Sequence, residues 1–197
     1  MGKFEKIILA LVCIALILTL QLIEGGAFLL FITALLLSLL YFPFGFLLIH
    51  RIGLKKMFKS ETYQAIKFGH IIIAVVAGIA FSMMWIGILF KMLRYEGSEF
   101  MLISGLIPCL IMLVFAFIKY NQTKTALYKN MLLRAIFFGA IGLVLFKTSD
   151  LTIVRYQYRN HPDYVKAYEQ YTANPTDPTL KQNLSNEYQK IIDPRNE

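Results

Sequence analysis

Five long apolar runs, separated by short connections in which Lys and Arg collect on alternate sides, confine this chain to a polytopic bundle of membrane helices. A bilayer core takes about 20 apolar residues as helix. In hydrocarbon the backbone must satisfy its own N–H and C=O groups, which a single run can do only as an α-helix. The predicted spans are residues 7–23, 27–49, 71–90, 100–118 and 131–146, making residues 1–146 a transmembrane domain and 147–197 a separate tail. The expected fold class is therefore all-α. A 57% apolar content and only 16% charged residues agree with this, because soluble domains carry about 25% charged residues.

The connections give an orientation. Lys3 and Lys6 precede the first span, and the first hairpin, Glu24-Gly25-Gly26, has no basic residue. The second connection holds Arg51, Lys55, Lys56, Lys59 and Lys67; the third has Lys91 and Arg94 beside Glu96 and Glu99; the fourth has Lys119, Lys124 and Lys129. This alternation predicts an inner-membrane protein with a cytoplasmic N-terminus and a periplasmic tail. Lys3 and Lys6 also fit a signal peptide, but no Ala-x-Ala-like site follows Leu20, so the run reads as a retained signal anchor. Cys13 and Cys109 fall inside spans and read as small buried hydrophobes. Arg134, in the first turn of the fifth span, is expected to snorkel to the headgroups. Trp85, Tyr95, Tyr41 and Tyr120, near span ends, are expected in the aromatic belts.

Charge is unevenly spread. Residues 1–146 hold 13 Lys/Arg against 5 Asp/Glu, whereas residues 147–197 hold 7 of each. Because the basic residues border apolar spans, the bilayer and its anionic lipids are the expected partner rather than nucleic acid. Arg51, Lys55, Lys56 and Lys59 are the candidate headgroup contacts, each contributing about 1 kcal/mol. Ser60 is a candidate cap for the third span. Pro43 lacks an N–H and predicts a kink in the second span. Small residues four apart (Ala74, Gly78 and Ser82; Ala34 and Ser38; Ala135 and Gly139, with Gly142) predict close helix contacts, either within the bundle or at a homo-oligomer seam.

The tail is polar and tyrosine-rich. Pro162 and Pro178 suit first helical positions, predicting helices over about residues 162–173 and 178–192. Tyr164, Tyr168 and Tyr171 share one face of the first, and Leu180, Leu184, Tyr188 and Ile191 one face of the second. So small a hairpin needs something to dock on. Its own spans are the simplest choice, and an envelope protein recognised through Tyr164, Tyr168, Tyr171, Leu180, Leu184 and Tyr188 is the alternative.

The segment Gly87-Ile88-Leu89-Phe90-Lys91-Met92-Leu93-Arg94-Tyr95, followed by Met101-Leu102-Ile103-Ser104-Gly105-Leu106, resembles the two-helix membrane unit of GldL-type proteins. In that Bacteroidetes family a G-x-L-F-K-x-x-H-aromatic turn joins two helices of the gliding-motility and type IX secretion motor. On the resemblance, Gly87, Lys91 and Tyr95 match the motif, Arg94 stands in place of the histidine, and Cys109 stands where the family has its membrane glutamate. It implies a related helix pair without the proton-coupling carboxylate. Leu145-Phe146-Lys147 also echoes Leu89-Phe90-Lys91.

Three function classes remain. The first is a non-enzymatic accessory or scaffold subunit of a cell-envelope complex. The second is a transporter or channel for a neutral or lipidic substrate, which Thr19, Gln21, Thr33, Ser38, Ser82 and Ser104 would line. The third is a membrane enzyme, which would need Glu24, Glu96, Glu99 and His161 to converge. No metal or cofactor motif is present, and no catalytic set is assigned.

Overall fold

A computed structural model describes residues 3–49 and 68–192. Every regular element among them is an α-helix: α1 Lys3–Leu20, α2 Gly26–Ile49, α3 Phe68–Leu93, α4 Ser98–Thr123, α5 Ala126–Lys147, α6 Asp150–Gln157, α7 Pro162–Ala173 and α8 Pro178–Ile192. Three of them, α3, α4 and α5, are long and apolar enough to cross a membrane, and Gly26–Phe42 of α2 is a shorter apolar stretch. Arg51, Lys55, Lys56, Lys59, Lys67, His50 and Ser60 lie outside the described residues, as does the side chain of Pro43.

Helices α1 to α5 form one bundle. Helix α3 is its centre, packing against α2, α4 and α5, while α1 lies on α2. One stripe of α1, Ile8, Val12, Ala15 and Thr19, is buried, and the opposite face (Ile7, Leu11, Ile14, Ile17) is exposed and equally apolar. An amphipathic helix in water would have a polar outer face; an apolar outer face suits hydrocarbon. Where α2 crosses α3 the backbones nearly touch. A Cβ on Gly78 would sit 2.7 Å from the Tyr41 carbonyl oxygen and 2.9 Å from Gly45 Cα. Beside that crossing Ser38 and Ser82 share a buried hydrogen bond of 2.7 Å. The small-residue stripes on α2 and α3 thus meet inside the bundle. On α5, Gly139 and Gly142 face the Cys109 and Leu110 side chains of α4 and the Met84 side chain of α3.

The two tight hairpins are built alike. Leu22 and Gly25 in the α1–α2 turn, and Arg94 and Gly97 in the α3–α4 turn, all adopt positive φ. The backbone bonds match in register: Ile23 N–H to the Leu18 carbonyl and Leu29 N–H to Gly25, against Tyr95 N–H to Phe90 and Met101 N–H to Gly97. Both turns carry Glu-Gly at their third and fourth positions, and Phe28 and Leu30 after the first recur as Phe100 and Leu102 after the second. The structural echo of the α3–α4 hairpin is therefore α1–α2, not the Leu145-Phe146-Lys147 segment.

Several expected placements change. Trp85 is only 1% exposed and meets Phe138 edge-on at 5.2 Å; Tyr41 is fully buried and meets Phe81 and Phe138 at 5.7 and 5.4 Å. Both belong to an aromatic core joining α2, α3 and α5 rather than to a belt. Tyr95 is exposed, and Tyr120 is half-buried under the Lys124 ammonium. Cys109 is buried, but Cys13 faces outward; both are free thiols.

The tail begins with α6, a helix for which the sequence showed no periodic signal. Its N-cap is Ser149, whose Oγ accepts the Thr152 N–H at 3.2 Å. Pro162 opens α7 and Pro178 opens α8, and the Asp177 carboxylate accepts the Thr179 N–H at 2.8 Å. Those Thr179 bonds, from the hydroxyl first and the backbone second, hold the Asp177 carboxyl below its usual pKa.

Candidate functional site

Two polar assemblies sit at opposite ends of the bundle. At the end away from the tail, Glu5 of α1, Tyr41 of α2 and Arg134 of α5 meet. Arg134 Nε donates to Glu5 Oε1 at 2.9 Å and its Nη2 to Oε2 at 2.8 Å, a bidentate pair. The Tyr41 hydroxyl also donates to Glu5 Oε1 and accepts from Arg134 Nε at 3.1 Å. Arg134 Nη1 reaches the Asn130 carbonyl at 3.1 Å, and the Asn130 side-chain amide donates to the Ile49 carbonyl at 3.0 Å.

Arg134 is 2% exposed and Glu5 fully buried. The snorkelling expected of Arg134 does not occur, because a carboxylate lies on the neighbouring helix and a buried bidentate pair satisfies the guanidinium better than a distant headgroup. Ionisable groups at such positions are functional candidates by default. Here each carboxylate oxygen already accepts at least one strong donor, so the cluster reads first as a staple joining α1, α2 and α5. A cavity of about 470 Å³ lies beside it, between Lys6, Leu9, Asn130 and Phe137.

The tail end is more open. Lys91, 2% exposed in the last turn of α3, pairs with Asp150 at the start of α6 at 2.7 Å and lies 3.9 Å from Glu99. Arg94 places its guanidinium over the Tyr158 ring, 5.2 Å from the centroid, and Nη2 donates to the Tyr158 hydroxyl at 3.2 Å. The Gln157 side-chain amide donates to the Thr19 carbonyl at 3.3 Å, and Arg159 to Gln21 at 2.9 Å. The charges that read as loop residues in the sequence are thus the bolts between the tail and both hairpin turns.

The tyrosine face of the tail packs mainly on the tail itself. Tyr158, Tyr164 and Val154 form a small core with Tyr168, Leu184 and Ile191 against it. The Tyr158 and Tyr164 rings are 4.3 Å apart, and Tyr164 and Tyr188 are 5.8 Å apart. Tyr171, Leu180 and Leu184 are half-buried, whereas Tyr188 is 40% and Ile192 59% exposed. Burial pushes the Tyr164 phenol up to about 12, an effect the nearby Arg94 partly offsets. Burial also raises Tyr168 and Tyr188 above the ordinary tyrosine value.

A raised phenol pKa stabilises the fold while the ring is neutral. That stability is complete below about pH 10 and is lost as pH rises toward about 12. Tryptic release of the tail should therefore rise over that window together with tyrosinate absorbance. In Tyr164→Phe part of the alkaline sensitivity should vanish; a variant as alkali-labile as the parent would show that Tyr164 is not responsible.

Between the hairpin turns and the tail lies a cavity of about 610 Å³, lined by Glu24, Phe28, Phe31, Arg94, Gln157 and Tyr188 among others. Among the described residues no hydrogen bond joins Glu24, Glu96, Glu99 and His161 to one another, and no metal-binding group of His, Cys, Asp and Glu is found. The hydroxyls of Thr19, Thr33 and Ser104 donate to carbonyls of their own helices, and Ser38 pairs with Ser82.

These features define an all-helical bundle with three helices able to cross a membrane and a helical tail bolted to one end. No family model, no curated protein and no solved structure matches the chain.

Proposed function

We propose that this is a five-span inner-membrane protein acting as a non-enzymatic accessory or scaffold subunit of a cell-envelope complex, its N-terminus cytoplasmic and its tail periplasmic. The observation that carries the reading is the mounting of the tail. Lys91–Asp150, Arg94–Tyr158 and Gln157–Thr19 fix α6 to the bundle end. Helix α8, by contrast, has no buried residue: Ile192 is 59% exposed, and Tyr188, although its ring lies 5.8 Å from Tyr164, is still 40% exposed. A rigidly mounted, partly apolar helix face suits recognition of another protein, because little ordering entropy is lost on binding.

The remaining spans of the proposal, α1 and α2, are apolar on their exposed faces and tied into the bundle by Glu5–Arg134 and Ser38–Ser82. The sequence resemblance of α3–α4 to the GldL-type helix pair, without its membrane carboxylate, supports the envelope-complex part of this reading. The alternative of a channel or carrier draws less support, since the span hydroxyls bond their own helices or each other.

The test is photo-crosslinking in native membranes from Tyr188 and Ile192, with Tyr156 on another tail helix as control, together with a phosphatase fused after the tail. One envelope protein captured from α8 and not from Tyr156, with active phosphatase, is the expected result. Lipid or self-adducts alone would overturn the partner role, and an inactive phosphatase would overturn the orientation.

A further inference from the structure

We propose that the cavity at the tail end binds an ethanolamine phospholipid. Its phosphate lies on Arg94, its ammonium between Glu24 and the Gln157 side-chain oxygen, and its acyl chains run out along Phe28 and Phe31. This goes beyond the accessory role and does not depend on it.

Arg94 is held at this place by backbone geometry. It ends α3 in the left-handed conformation, at φ 55, inside the hydrogen-bonded turn. Its guanidinium is half-buried against Tyr158, and no carboxylate lies within ion-pair distance of it among the described residues. A partly desolvated guanidinium with only aromatic and phenol partners retains donors for an anion, and phosphate oxygens match its fork.

Gln157 supplies the second element. It is 6% exposed, its amide N–H is taken by Thr19, and its carbonyl oxygen is buried with no donor. A buried acceptor left unpaired is a cost to the fold, which a ligand N–H or O–H would remove. Glu24 is the third element: it lines the same cavity and is exposed on the α1–α2 turn. Its charge disfavours a wholly anionic headgroup and favours a cation placed beside the phosphate. One cation, one anion and one bare acceptor in a single cavity thus complement a zwitterion carrying N–H donors.

The apolar element is Phe28, 71% exposed, with Phe31 one turn along α2 toward the bilayer. A volume of about 610 Å³ lies within the usual range for ligand sites, about 300–1,000 Å³. It admits the headgroup and the first part of the chains, leaving the remainder among the surrounding lipids.

The test uses the full chain in detergent, with short-chain phosphatidylethanolamine, short-chain phosphatidylglycerol and chain-free phosphoethanolamine titrated by native mass spectrometry. Phosphatidylethanolamine should bind about tenfold or more tighter than either competitor. Arg94→Gln should weaken both lipids by about tenfold. Because that change also removes the Tyr158 bond, Glu24→Gln on the exposed turn is the second variant. It should fold as the parent and lose the preference for ethanolamine over glycerol. Equal binding of the two lipids by the parent, an unchanged preference in Glu24→Gln, or phosphoethanolamine binding as tightly as the lipid would each overturn the proposal.

Discussion

Arg134→Leu is expected to destabilise the folded chain by about 3–5 kcal/mol, because it leaves the Glu5 carboxylate buried without its cation. Glu5 is fully buried and its two oxygens accept Nη2 and Nε of Arg134 at 2.8 and 2.9 Å. The Tyr41 hydroxyl alone cannot neutralise it. Glu5→Leu should be similarly costly for the opposite reason, a guanidinium stranded in the bundle. The double variant Glu5→Leu/Arg134→Met should recover most of the loss, since two apolar side chains replace a pair whose desolvation largely cancels its attraction. Thermal unfolding in detergent measures all three. An Arg134→Leu protein melting with the parent would mean that Arg134 reaches the headgroups after all. A double variant as unstable as the singles would mean that the cluster holds more than the three helices together.

Gly78→Leu is the second large effect. Even the first carbon of the new side chain would lie 2.7 Å from the Tyr41 carbonyl oxygen and 2.9 Å from Gly45 Cα. Both are backbone atoms, so no rotamer change relieves the contact and α2 must move off α3. Overpacking of this kind costs about 1–3 kcal/mol and occasionally more. The Ser38–Ser82 bond beside the crossing should be lost as well. Gly139→Ala is the control, because its Cβ would meet only the Cys109 and Leu110 side chains at 3.8 and 3.9 Å, ordinary contact distances. If Gly78→Leu and Gly139→Ala gave equal melting temperatures, the close α2–α3 approach would be wrong.

The legible part of this protein is the part carried by neighbours along the chain. Apolar runs of membrane length determine helices, since period and hydropathy are local properties, and Pro162 and Pro178 stand at the first turns of α7 and α8 because proline suits that position wherever it occurs. Small residues four apart marked the α2–α3 contact, with Ala74, Gly78 and Ser82 all buried there. Helix α6 escaped because eight residues are too few for a periodic signal.

The polar sites were illegible for a different reason. Glu5 and Arg134 are separated by 129 positions, and Arg94 and Tyr158 by 64. Glu5, Arg134 and Arg94 each read alone as an interfacial charge near the end of an apolar run, and Tyr158 as one of several tyrosines in the polar tail. Whether such a charge turns to the headgroups or to a partner depends on how each helix is rotated and how deep it sits. Those two quantities are set by packing against the other helices. The sequence by itself determined a helical chain with spans able to enter a membrane. Only the tertiary structure decided that Arg134 faces Glu5, that Lys91 bolts the tail to α3, and that Arg94 faces a cavity, because burial and pairing belong to the assembled bundle and not to any one helix.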